Sequence, residues 1–248
     1  MGRGMSIEVL PEDESNRKEA VRHQQIPSRG ARWRAELGRL MTLPKLDRQE
    51  WANLLTHALG LLLSLGGAVV LIIAAARSGD PWQITSAAVY SATLIMLYAS
   101  STIYHAANSK PALQKFDHAA IFLLIAGSYT PFVLVTLRGP WGWSLFGVVW
   151  GLAVVGVCLK FWYAGRFKLA STLIYLGMGW LVLIAIKPLM AALPTSGFAW
   201  LVAGGACYSV GTVFYLWKKL PYQHAIWHLW VLAGSVGQWI AVRGYVID

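Results

Sequence analysis

LLTHALGLLLSLGGAVVLIIAAA, residues 54–76, contains no charged side chain and is long enough to cross a bilayer as one helix. About 20 consecutive apolar residues suffice for that. Working outward from it, Gly, Pro, Lys and Arg divide the rest of the chain into six more such runs, at 81–105, 118–137, 141–161, 169–186, 197–217 and 224–242. The loops between them are short. The 248 residues are 56% hydrophobic and 13% charged, too apolar for a soluble domain of this length. The sequence therefore predicts an all-α integral membrane protein, a bundle of seven transmembrane helices over 49–248 preceded by a basic arm over 1–48.

The direction of insertion follows from the basic residues beside the spans. With the N-terminus inside, ten Lys and Arg precede the first span, and Lys110, Lys115, Lys160, Arg166, Lys168, Lys218 and Lys219 share its side. Arg77, Arg138, Lys187 and Arg243 face the other way. A cytoplasmic N-terminus, an external C-terminus and a multi-pass location in the plasma membrane are expected. The same topology accounts for the net charge of +10, whose cations are scattered over loops and the arm, so no nucleic acid partner is expected.

Within the arm, Trp33, Leu37, Leu40 and Met41 recur at helical spacing among arginines until Pro44, which predicts a helix lying on the inner leaflet. Residues before about 28 lack periodicity and are expected to be disordered. No signal peptide is visible in the polar first forty residues. Tryptophans at the predicted boundaries, Trp51, Trp162 and Trp217 on one side and Trp82, Trp141 and Trp143 on the other, read as an interfacial belt. The GVVWG run at 147–151 reads as close helix packing, Pro131 as a kink in the third span, and Cys158 and Cys207 as small apolar residues.

Acidic residues are scarce in the membrane part. Eight of the eleven lie at or before Glu50, leaving only Asp80, Asp117 and Asp248 beyond it. The topology also brings five of the six histidines to one side of the membrane: His57, His105, His118, His224 and His228. His224 and His228, spaced i and i+4, present both imidazoles on one helical face. Zinc enzymes use that spacing, and His105 at the same depth supplies a third imidazole. Three histidines and one open position form the ligand set of a catalytic zinc, whereas closed structural sites use four protein ligands. Asp117 is open to two readings, a solvated helix N-cap or a carboxylate that orients water as a general base. Ser101, one turn before His105, either steers that chemistry or bonds back to its own helix. His57 and His118 read as interface residues or as supports behind the site.

SSTIYH ending at His105, the isolated Asp117, HAIWH at 224–228 and EWANLLTHALG at 50–60 together resemble the hemolysin III proteins of bacteria. These are grouped with the progestin and adiponectin receptors and, more distantly, with the alkaline ceramidases. The resemblance spans roughly 49–246. It implies a seven-helix barrel with a cytosolic N-terminus and a zinc ion near the inner leaflet held by His105, His224 and His228, with Asp117 acting on water and Ser101 as the motif serine. The function it implies is zinc-dependent hydrolysis of a membrane lipid at an amide bond, in the service of membrane homeostasis. A zinc-stabilised sensor without catalysis is the alternative. A secreted pore former is disfavoured, since the spans carry no row of charged residues to line a pore. Membrane lipids are the expected partners; the oligomeric state stays open.

Overall fold

A computed structural model describes Gly30 and residues 46–163 and 167–247. The interfacial helix expected in the arm lies outside the described residues, as do Arg166, Asp248 and, apart from Gly30, the rest of the arm before residue 46. Among the described residues seven helices are long and apolar enough to cross a membrane: α1 Arg48–Ser78, α2 Pro81–Ala106, α3 Pro111–Thr136, α4 Pro140–Tyr163, α5 Lys168–Ala192, α6 Thr195–Leu216 and α7 Gln223–Tyr245. The seven-span bundle expected from the sequence is the fold.

Helix ends are set by local chemistry. Asp47 caps α1 by accepting from the Glu50 amide at 2.8 Å, and Gly79 closes the helix in the left-handed region at φ 68°. Asp80 caps α2 in the same way, with Pro81 at its first turn, where no amide is needed. Asn108 and Ser109 turn the chain between α2 and α3, both at φ 55°. Helix α3 begins at Pro111 rather than near residue 118, so the polar stretch before Asp117 is helical. That extension moves Asp117 two turns into the helix.

Neighbouring pairs run α1–α2, α2–α3, α3–α4, α3–α5, α5–α6, α6–α7 and α7–α1. Helix α3 is the most enclosed, and α5 and α6 the least. Close approaches use small residues. A Cβ on Gly60 would fall on the Tyr98 ring, and one on Gly204 would meet the Gly234 carbonyl oxygen at 3.0 Å. Gly147 and Gly151 do not make the close packing expected of the GVVWG run: both are exposed and a Cβ on either meets nothing, while Val149 between them is buried in the core and α4 makes its close approach through Gly156 on Phe122.

Two helices depart from regular geometry for nameable reasons. Pro131 has no amide to continue the α-helical ladder, and Phe132–Thr136 follows as a π-turn closed by Leu137 N donating to the Phe132 carbonyl at 2.7 Å. Helix α5 passes through a 3-10 segment, Leu181–Ala185, just before Pro188, whose ring excludes the carbonyl four residues back. The Tyr129 hydroxyl serves this opened backbone: it lies 2.9 Å from the Met178 carbonyl and 2.8 Å from that of Gly179, and accepts from Val182 N at 2.9 Å. Lys160, counted above with the loops, belongs to α4, buried and donating to Ser171 Oγ at 2.7 Å.

The outer surface suits lipid. Leu62, Val69 and Ile73 of α1 and Val154 and Val155 of α4 are exposed, and at an apolar solvent such residues cost nothing. Trp51, Trp141, Trp143, Trp162 and Trp217 are exposed near helix ends. At the end opposite the histidines, Trp82 packs edge-on against Trp143 at 5.6 Å while the Arg138 guanidinium covers its ring at 4.7 Å.

Candidate metal centre

Helix geometry alone brings His224 and His228 onto one face of α7, with ring centroids 4.5 Å apart. His105, at the last turn of α2, reaches the same point from across the bundle, its ring 5.2 Å from that of His224 and 5.1 Å from that of His228. One nitrogen from each of the three lies within 4.8 Å of the other two. The Nε2 atoms of all three are buried and have no hydrogen-bond partner. Leaving three buried acceptors unmet would cost of order 1–3 kcal/mol each, and nothing among the described residues meets them. A metal ion would. Tetrahedral bonds of about 2.1 Å would put the nitrogens roughly 3.4 Å apart, within the 4.8 Å span they already share.

The far sides of two of these rings are tied down. Glu50 Oε2 lies 2.7 Å from His105 Nδ1, and the Asn53 carbonyl lies 3.2 Å from His228 Nδ1. A carboxylate and a carbonyl can only accept, so each Nδ1 carries the proton and each Nε2 presents a lone pair to the shared point. His224 is held by packing against Trp227 and Tyr215, at centroid distances of 5.0 and 6.2 Å.

The Haemolysin-III related family matches residues 47–239. The chain belongs to the haemolysin III family. It is 45% identical over 213 residues to Hemolysin-3 of Bacillus cereus, covering 84% of this chain and 97% of that protein. To a Hemolysin-3 homolog of Bacillus subtilis (strain 168) it is 47% identical over 203 residues, covering 81% and 95%. The human Monocyte to macrophage differentiation factor is 28% identical over 204 residues, covering 79% of this chain and 83% of its own. The family is thus the one the motifs resembled, and this member is a multi-pass membrane protein.

In this haemolysin III family member Asp117 is buried, 4% exposed, with Lys110 at the cap position of α3. The N-cap alternative is thereby removed. Ser101 is fully buried; its hydroxyl faces the Asp117 carboxyl but has no partner within hydrogen-bonding distance. Nor does it bond back to its own helix. His118 is buried on α3, and its carbonyl accepts from the Tyr175 hydroxyl at 3.0 Å. His57 is not an interface residue: it is 2% exposed, stacks on His228, and neither ring nitrogen has a partner.

A cavity of about 150 Å³ begins at Asp117 and His57 and extends between α3, α5, α6 and α7 toward Leu137, Leu145 and Gln238 near the opposite helix ends. Its walls are mainly apolar, with Leu124, Ile125, Phe132, Val133, Leu176 and Val182 among them. The sequence reading gave Glu50 and Asn53 no role, and of its two readings of His57 the support behind the site is the one the stack on His228 fits. The spacing of the three, i, i+3 and i+7, marks one face of α1 and could have revealed them.

Proposed function

We propose that the protein is a zinc-dependent hydrolase acting on a lipid amide in the plasma membrane, with its N-terminus in the cytosol. The observation that carries this is the convergence of three buried imidazoles, each with an unpartnered Nε2, next to a long apolar cavity that His57, stacked on His228, lines together with the buried Asp117. His105, His224 and His228 would hold the zinc. An all-imidazole set of three suits zinc and leaves one position open, as catalytic sites do. Zinc, when bound, supplies Lewis acidity toward a carbonyl oxygen and toward water.

The remaining work falls to the chain. Asp117, the one carboxylate among the described residues that line the cavity, takes the proton from the attacking water and delivers it to the amine nitrogen that leaves as the amide bond breaks. Ser101, with its hydroxyl uncommitted and facing Asp117, orients the polar group that enters between them. The apolar walls hold the acyl chain and exclude water from it. The choice of an amide rests on the likeness to alkaline ceramidases drawn from the motifs, and the orientation on the bias of basic residues.

Purified protein incubated with a panel of lipid amides should release fatty acid, and His224→Ala and Asp117→Asn should abolish or sharply reduce that release. Stoichiometric zinc without release from any member of the panel would overturn hydrolysis and leave the metal a structural tie between α2 and α7.

A further inference from the structure

Helix α1 contributes none of the three converging nitrogens, yet it touches two of the three rings from behind. Glu50, in the first turn of α1, uses both carboxylate oxygens: Oε2 lies 2.7 Å from His105 Nδ1, and Oε1 accepts from Ser109 Oγ at 2.9 Å. Its side chain is 20% exposed while that of His105 is 2% exposed, so the carboxylate stands between the ring and the aqueous end of the bundle. Two turns along, Thr56 Oγ1 sits 3.0 Å from His228 Nδ1. The Thr56 proton goes to the Ala52 or Asn53 carbonyl, each 2.9 Å away, which leaves its oxygen to accept from the ring.

We propose that Glu50 is a positioning residue of the metal centre. Its carboxylate holds His105 with the proton on Nδ1 and the Nε2 lone pair aimed at the shared point, and its negative charge makes the ring a stronger donor. It thereby sets metal affinity without touching the metal. Carboxylates behind ligating imidazoles act in this way, and their loss typically costs 10- to 100-fold in affinity. This rests on the reading that the three histidines bind zinc. The competing role for Glu50 is purely structural, a staple between the start of α1 and the α2–α3 turn through Ser109.

The two roles separate experimentally. Zinc affinity of the full chain in detergent would be measured by competition with a chromophoric chelator for the wild type, Glu50→Gln, Glu50→Ala and Ser109→Ala, with the unfolding midpoint of each metal-free protein recorded alongside. Positioning predicts affinity weakened about 10- to 100-fold in both Glu50 variants and clearly less in Ser109→Ala, whose hydroxyl lies a longer 3.4 Å from His105 Nδ1. The visible absorption of the cobalt-substituted protein should shift in Glu50→Gln, because the field around His105 changes. Wild-type affinity and an unshifted cobalt spectrum in Glu50→Gln and Glu50→Ala would overturn the proposal while leaving zinc binding intact. A wild type that takes up no zinc would overturn the metal centre itself, and Glu50's role with it.

Discussion

The rings of His57 and His228 stack face to face, with centroids 3.4 Å apart and planes 21° from parallel. One flank of His228 is thus set by a residue that offers no nitrogen to the cluster. Tyr98 closes on His57 edge-first at 5.2 Å, and its hydroxyl donates to Ser235 at 2.8 Å, so α1, α2 and α7 are interlocked at this level. Removing the His57 ring should leave a void against His228. We expect His57→Ala to lower stability by roughly 2 kcal/mol, as truncation of a buried side chain does. His57→Phe should preserve the stack and, having no unpaired nitrogens, hold the wild-type unfolding midpoint. Equal midpoints for His57→Ala and wild type would show that the stack adds no stability.

Elemental analysis of the purified protein should find one zinc per chain. Replacing His105, His224 or His228 with Ala removes one of three donors and should abolish stoichiometric retention. Treatment with a strong chelator should lower the unfolding midpoint, because a ligand that binds only the folded state stabilises it by mass action. Full zinc in the His224→Ala, His228→Ala double variant would place the metal elsewhere.

Asp117 lies well inside α3 and makes no cap, so its conversion to Asn should leave helix and metal largely untouched. Turnover of a hydrolysed lipid should fall by roughly 10²-fold or more, the usual cost of losing a general base. Full metal content with unchanged turnover would refute its assigned part in proton transfer.

Orientation can be read directly. A reporter active only outside the cytoplasm, fused after residue 248, should give signal, since seventeen Lys and Arg are expected on the N-terminal side and four on the other. Signal from a fusion before α1 instead would invert the bundle and move the histidines to the external leaflet.

Hydropathy exposed the seven spans because each helix must satisfy its own backbone in lipid and so needs a long apolar run. It failed where a helix outlasts the hydrocarbon. The polar stretch from Pro111 to Phe116 continues α3 beyond its apolar run, and this is why Asp117 looked like a cap. The three converging histidines were legible from spacing and topology together. The support behind them was only partly so: Glu50 and His57 leave a trace on one face of α1, but the Asn53 contact to His228 is made by a backbone carbonyl, which any residue would supply. The break in α5 could be anticipated from Pro188, whereas the Tyr129 hydroxyl that meets its open carbonyls comes from 50 residues away in sequence.

His105 leaves the ribosome long before His224 and His228, which sit on the seventh span. During synthesis the first six helices can enter the bilayer and find one another while the cluster still lacks two of its three nitrogens. Glu50 and Thr56 on α1 are already waiting by then, one beside His105 and the other where His228 will dock. On the proposed reading the cluster could take up metal only once α7 has docked, and a chain released before α7 would be inserted yet unable to load.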